Sequence, residues 1–259
     1  MGCLSVDEIS MHFGGLRAVD GVTFALQTGQ IHGLIGPNGA GKTTIFNCIT
    51  GFYHPTHGSI RFQDRHITHL RPDQIARLGI ARTFQNVQLF RGMSALDNIL
   101  VAMHSSMRTS IFAEALSLPF VRRQERLGRD KALEIMDVLG LIAMQQQAAG
   151  NLPLGIQKRL ELARALALDP QLLLLDEPAA GLNTSETREL AQLLFNIRDR
   201  FKLTILLVEH DMGLVMSICD TITVLNFGQK IAEGTPCEVQ HNSEVIKAYL
   251  GETVGAEQP

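Results

Sequence analysis

Hydrophobic and polar positions divide the chain into three stretches of different character. Over roughly the first eighty residues, short β-branched runs alternate with turn-forming residues, which predicts strands at 4–13, 22–26, 30–35 and 58–62. A helix at 43–51 interrupts them and is ended by Gly51. From Pro72 to Leu141 helical spacing takes over, with Leu133, Met136, Val138 and Leu139 set among charged residues. After Pro153 helices and strands alternate again: helix 152–167, strand 172–175, helix 186–201, strand 203–208, helix 214–219 and strand 222–226. Asn183 and Glu186 have the spacing of a capping box for the second of these helices. The later strands are apolar throughout and separated by helices, which predicts an α/β fold: a mostly parallel sheet flanked by helices on both faces. The central helical stretch is then a lobe inserted into that core. No repeat and no low-complexity tract interrupts the pattern.

Composition leaves this picture standing and narrows the function. The 259 residues are enough for one large domain or two modest lobes. An apolar share of 45% and a charged share of 19% are ordinary for a globular protein. The net charge of −3 argues against broad nucleic-acid binding, which needs a basic surface. Arg122, Arg123, Arg126 and Arg129 form a local basic cluster, read first as a solvated helix face. No apolar run approaches the about 18–20 residues that cross a bilayer. The N-terminus lacks a signal-peptide pattern, so a cytoplasmic location is expected. Cys3, Cys48, Cys219 and Cys237 show no CxxC pairing and read as unpaired thiols in a reducing compartment.

The chemistry begins at 36–43, GPNGAGKT, which fits G-x-x-x-x-G-K-[ST] without a departure. An apolar strand leads in and a helix leads out, the setting that phosphate binding requires. Gly36, Gly39 and Gly41 let the backbone curl so that its N–H groups face phosphate oxygens, and the helix N-terminus adds its positive end. Lys42 supplies a mobile cation for the β- and γ-phosphates, and the Thr43 hydroxyl is a ligand for Mg²⁺. Asn38, Gly39, Ala40, Gly41, Lys42, Thr43 and Thr44 are the expected nucleotide contacts.

A second element, LLLLDE at 172–177, is an apolar strand ending in two carboxylates. In an open α/β sheet that places both acids at the ligand-binding carboxyl edge. Asp176 is expected to hold Mg²⁺ through water, and Glu177 to orient and deprotonate the attacking water. An acid-terminated strand is a weak signal alone; with the strict loop upstream, one shared chemistry requires both. His210 follows the apolar strand 203–208. If that strand neighbours the one ending at Asp176, the imidazole reaches the γ-phosphate or the attacking water.

These residues together resemble the ATP-binding-cassette family over essentially the whole chain. GPNGAGKT, LLLLDEP and the histidine of VEHDM occur in the family's order, with ARTFQN between them resembling its glutamine loop. The resemblance implies a P-loop NTPase core, an N-terminal antiparallel β part and an inserted helical subdomain. It places the core and β part at 1–84 and 152–259, and the helical subdomain at 85–151. It implies that Gln85 touches Mg²⁺ and the attacking water and joins the core to the lobe that receives the membrane partner. It further implies that Phe13 stacks on adenine, with Val19 as an apolar neighbour, and that 180–183 crosses to the opposite subunit. The family's LSGGQ motif corresponds to the run from Leu152 to Gln157, where Pro153 replaces the serine and Ile156 the first glutamine. Proline has neither hydroxyl nor N–H to offer, yet it suits the first turn of a helix. Gly155 still permits close approach to the partner's ATP, so weakened side-chain contact rather than a dead site is expected.

Within the family the likeness is to the larger ATPase subunit of high-affinity branched-chain amino acid importers, carried by FGGLRAVDGV, GFYHPTHGSI, ARTFQNVQLF, DEPAAGLN and the closing GTPCEV and VIKAYLGE. That likeness implies ATP and Mg²⁺ as cofactors and a second cassette subunit as partner, identical or different. It also implies two transmembrane permeases and, indirectly, a periplasmic substrate-binding protein, on the cytoplasmic face of the inner membrane. Two other classes stay open. A cassette-type nucleic-acid or translation factor usually carries two cassettes or a long coiled coil before the acidic element, and neither occurs here. A regulatory cassette that binds ATP with little hydrolysis is favoured by Pro153 and opposed by Glu177 and His210.

Overall fold

The computed structural model describes residues 2–83, 87–104 and 119–255. Two sheets organise them. The first is antiparallel: β1 (Gly2–Phe13) lies between β2 (Leu16–Gln27) and β4 (His57–Phe62), with β5 (Arg65–His66) at the edge. Alternate residues of β1 and β2, among them Leu4, Val6, Val22, Phe24 and Leu26, are buried on its inner face. This is the period-two pattern of a sheet with one covered side.

The second sheet has the order β10 (Gln229–Gly234), β9 (Thr221–Asn226), β3 (Ile31–Ile35), β8 (Thr204–Val208), β7 (Leu172–Asp176) and β6 (Ile80–Arg82). All neighbours are parallel except β9 and β10, which form a hairpin. Every residue of β3, β7 and β8 is buried. That is why these strands carry no polar alternation: both faces are covered, as the apolar runs predict.

Successive residues of the central strands feed two separate cores. Leu173, Leu175, Ile205 and Leu207 face α3 (Ala95–His104), α4 (Pro119–Val138), α5 (Leu154–Leu166), α6 (Thr184–Phe201) and α7 (Met212–Ile218) through residues such as Ile99, Met136, Leu160, Leu194 and Val215. Leu172, Leu174, Leu206 and Val208 face the other way, toward Ile45, Phe46 and Ile49 of α1 (Lys42–Ile49) and the inner face of the antiparallel sheet. The short α2 (Pro72–Arg77), α8 (Pro236–Gln240) and the C-terminal α9 (Ser243–Gly255) are the remaining α-helices among the described residues. Buried Asn98 ties the approach to α3, accepting from Phe90 N at 2.9 Å and donating to the carbonyls of Phe90 and Ser94. Arg123, Arg126 and Arg129 are exposed on α4, the solvated face their spacing predicts. Cys3, Cys48 and Cys219 are buried free thiols, and burial pushes Cys48 up to about 11 and Cys219 up to about 12.

The capping box at α6 forms as its spacing predicts. Asn183 Oδ1 accepts from Ser185 N at 2.9 Å and Glu186 N at 3.0 Å, and Glu186 Oε2 accepts in return from Asn183 N. Asn183→Ala should therefore destabilise the fold by about 1 kcal/mol. A chemical-denaturation midpoint equal to that of the parent chain would contradict this.

Several elements differ from expectation. The stretch 72–141 is not helical throughout, because β6 lies inside it. Three residues on the rim of a sheet are too short to show a period, and β6 is recognisable only from its pairing with Leu172, Leu173 and Leu174. The hairpin strand β10 and helices α8 and α9 are additions. Pro153 sits one position earlier than a first-turn residue, as the N-cap of α5, where its carbonyl accepts from Gln157 N at 2.9 Å and its missing N–H costs no helical bond.

Candidate functional site

The parallel order brings the carboxyl ends of β3, β7 and β8 side by side, with Asp176 directly opposite Val208. The loop leaving β3 is held by contacts that only glycine permits. A Cβ on Gly36 would lie 2.2 Å from the Leu225 carbonyl oxygen, and one on Gly41, at φ 99°, would lie 2.7 Å from that of Ala18. The β9–β10 turn braces the loop from outside, with Gly228 N donating to the Ala40 carbonyl at 3.2 Å. Buried Lys42 folds back along the loop and donates to the carbonyls of Gly36 at 2.6 Å and Pro37 at 2.8 Å. Unlike α6, α1 starts without a side-chain cap and without an acidic residue in its first turn. Its leading N–H groups and positive dipole end therefore face an anion site.

In front of the loop lies a hollow of about 320 Å³. Its walls are residues 38–44, Glu177 and His210, joined by Leu16, Arg17, Ala18 and Phe227. The structure thus gathers Asn38, Gly39, Ala40, Gly41, Lys42, Thr43, Thr44, Glu177 and His210 around one space. His210 Nε2 is 3.0 Å from Glu177 Oε1. Glu177 occupies the left-handed region at φ 50°, and its N–H donates to the Val208 carbonyl at 2.9 Å. For a residue other than glycine that conformation is strained, and such strain clusters at functional sites.

Asp176 is placed differently. Its carboxylate is buried and accepts from Arg82 at 2.7 Å, both side chains being under a tenth exposed. Arg82 also donates to Asn47 Oδ1 at 2.7 Å and lies over the Phe46 ring at 5.4 Å. Asp176 lines not the phosphate hollow but a second cavity of about 240 Å³ between α5 and α6, which meets the hollow at Glu177. The Thr43 hydroxyl on the hollow and the Asp176 carboxylate behind it are hard oxygen donors. They fit Mg²⁺, which keeps several waters and takes few protein ligands. Among the described residues no group of three His, Cys, Asp or Glu side chains is placed to hold a metal ion.

Other expected site residues are not gathered here. Phe13 is 42% exposed and meets Tyr53 edge-on with ring centroids 5.2 Å apart; it is not on the wall of the hollow. Val19 is fully buried behind Gly41 and backs the loop. Gly155 stands at the start of α5 on the second cavity, away from this chain's own phosphate loop. Gln85 lies outside the described residues. Sequence reasoning missed Arg82, although it belongs to the ARTFQN run; nothing local to that run shows that it meets an acid 94 positions later. It also missed Leu16, Arg17 and Phe227, which enter the hollow from the start of β2 and from the β9–β10 turn.

Residues 19–180 match the family model described as ABC transporter, and residues 229–254 the one described as Branched-chain amino acid ATP-binding cassette transporter. The chain is 49% identical over 249 residues to the Escherichia coli (strain K12) protein named High-affinity branched-chain amino acid transport ATP-binding protein LivG, covering 96% of this chain and 98% of that one. It is 48% identical, with the same coverage, to the Pseudomonas aeruginosa protein named High-affinity branched-chain amino acid transport ATP-binding protein BraF. Among solved structures, the ADP conformation of MJ1267, an ATP-binding cassette of an ABC transporter, superposes with a TM-score of 0.85 at 30% identity, covering 97% of this chain and 99% of that one.

Proposed function

The chain belongs to the ATP-binding-cassette transporter family, and from that premise we propose that it drives the import of branched-chain amino acids. It is an ATPase subunit that powers an amino-acid importer. The observation that carries the hydrolytic part is the Glu177–His210 pair, 3.0 Å apart and facing the phosphate loop across a single hollow. The cargo rests on the match of residues 229–254 and on the near-half identity with the named branched-chain amino acid transport ATP-binding proteins.

In this reading the N–H groups of the loop and of the first turn of α1 hold the phosphates, and Lys42 turns its ammonium from the loop carbonyls toward them. Glu177 accepts the proton of the attacking water, and His210 keeps that carboxylate directed at the hollow. Thr43, Asp176 and Gln85 are the residues that would hold Mg²⁺, which supplies charge neutralisation at the β- and γ-phosphates. Phe13 would stack on the base. Residues 1–84 and 152–259 make the core with its β part, and 85–151 the lobe that receives the permeases.

Among the described residues no helix is long and apolar enough to cross a membrane; it is the likeness to transport ATP-binding subunits that supports a path for the cargo through partner chains. Those partners are two permeases, a second cassette subunit lending its Gly155 region to this phosphate loop, and a binding protein outside. The complex would sit on the cytoplasmic face of the inner membrane.

The deciding experiment is reconstitution of the chain with its co-purifying membrane subunits in liposomes, with labelled amino acids supplied on the binding-protein side. ATP-dependent uptake of leucine, isoleucine and valine, lost with Lys42→Ala, is expected. Uptake that ignores ATP, or that favours charged over branched-chain amino acids, would sink the proposal.

A further inference from the structure

Glu177 forms the wall between two spaces, the phosphate hollow on one side and the cavity between α5 and α6 on the other. Its backbone lies in the left-handed region, at φ 50°. Such a conformation persists only when its surroundings over-determine it. Two charged side chains supply that constraint. On one side Lys158, from the second turn of α5, donates from Nζ to the carbonyls of Pro178 at 2.9 Å, Glu177 at 3.4 Å and Ala180. On the other, the Glu209 carboxylate accepts from Ala179 N at 3.1 Å, and also from His210 N at 3.1 Å and Asp211 N at 3.4 Å. The turn 177–180 is thus gripped by a cation on its carbonyls and an anion on an amide, and the same anion fixes the backbone of His210. Burial pushes the Lys158 ammonium below its ordinary value and the Glu209 carboxyl above its own, so both positions are costly ones for a charge.

We propose that Lys158 is a positioning residue for Glu177: with Glu209 it clamps the turn 177–180 and fixes the direction in which the Glu177 carboxylate meets the phosphate hollow. Lys158 lies three residues after Gly155 on the same helix, so the clamp joins this chain's own catalytic turn to the end it lends to its partner. A shift of that end moves the carbonyl anchors and with them Glu177. Crosstalk between the two composite ATP sites thereby has a path within one subunit. The inference rests on Glu177 being the base.

The test measures steady-state ATP hydrolysis, fluorescent-ATP binding and thermal unfolding for the full chain carrying Lys158→Met, Lys158→Arg or Glu209→Gln, beside Glu177→Gln. For Lys158→Met, kcat should fall about 10²-fold, the effect of moving a catalytic group by about 1 Å. Nucleotide affinity and melting temperature should stay near those of the parent, and Lys158→Arg should recover most of the rate. Hydrogen exchange at the amides of Ala179 and Ala180 should quicken without a global change. Glu209→Gln should lower kcat in the same sense. An unchanged kcat in Lys158→Met overturns the clamp, as does a joint fall of rate, affinity and melting temperature that arginine does not repair. If Lys158→Met does not fold, Glu209→Gln decides, and parental kcat in that variant overturns the proposal. Undiminished turnover in Glu177→Gln would remove the reading of Glu177 itself. An inactive Glu177→Gln beside a fully active Lys158→Met removes only the clamp.

Discussion

Glu177→Gln is expected to stop turnover while leaving nucleotide bound, lowering steady-state ATP hydrolysis about 10²–10⁴-fold, the range that a positioned base contributes. Glutamine has nearly the same volume, and its carbonyl oxygen can keep the contact with His210 now made at 3.0 Å. The loop 36–43, Lys42 and the start of α1 are untouched, so the groups that hold the phosphates remain. What disappears is the ability to take a proton from water at neutral pH. Phosphate release in a coupled assay and binding of a fluorescent ATP analogue separate the two effects. Parental turnover in the variant would remove Glu177 from the chemistry. Loss of binding in step with turnover would make it a binding residue instead.

The second large effect concerns stability. Arg82→Met should destabilise the fold by about 3–5 kcal/mol, because it leaves Asp176 buried with no compensating charge. The Arg82 and Asp176 side chains are 9% and 7% exposed, so solvent screens the loss very little. Methionine also gives up the bond to Asn47 Oδ1 and the guanidinium face over Phe46. A control distinguishes an ionic cause from a packing one. The double variant Arg82→Met with Asp176→Leu should recover much of the stability, since replacing both partners of a buried pair by apolar groups is often neutral. It should recover none of the activity, because Asp176 is an expected Mg²⁺ ligand. Urea midpoints of the single and double variants provide the readout. A single variant that unfolds at the parental midpoint would show that the pair holds nothing together.

How far these residues are legible in sequence depends on how local their causes are. The phosphate loop is legible because its requirements are consecutive in the chain: the glycines, the lysine and the hydroxyl lie within eight positions, with the strand directly before them and the helix following on. Asp176, Glu177 and His210 are found because an apolar strand announces its own carboxyl end. The capping box of α6 is visible for the same reason, spanning only 183–186. Arg82, Lys158 and Glu209 are not visible, because each acts on a partner that only the sheet order or the packing of α5 brings near. Lys158 looks like any lysine on a polar helix face, and Glu209 like the flank of a histidine motif. Phe13 and Val19 rest on the resemblance alone, which assigns both to the nucleotide base; here the Phe13 ring meets Tyr53 edge-on and Val19 is buried behind Gly41.

The rim position of β6 has a mechanical consequence. This three-residue strand is held on one side only, while β3, which carries the phosphate loop, is clasped by neighbours on both. Elements with few contacts open at the lowest free energy, so the sheet is stiff in its middle and compliant at this margin. Arg82 rides on the compliant strand, and its ionic tether runs inward to Asp176. The segment that begins at Gln85, which the family likeness assigns to the membrane partner, follows the same strand almost directly. A displacement of β6 would reach Asp176 through Arg82 before it reached β3, which β7 and β8 separate from it.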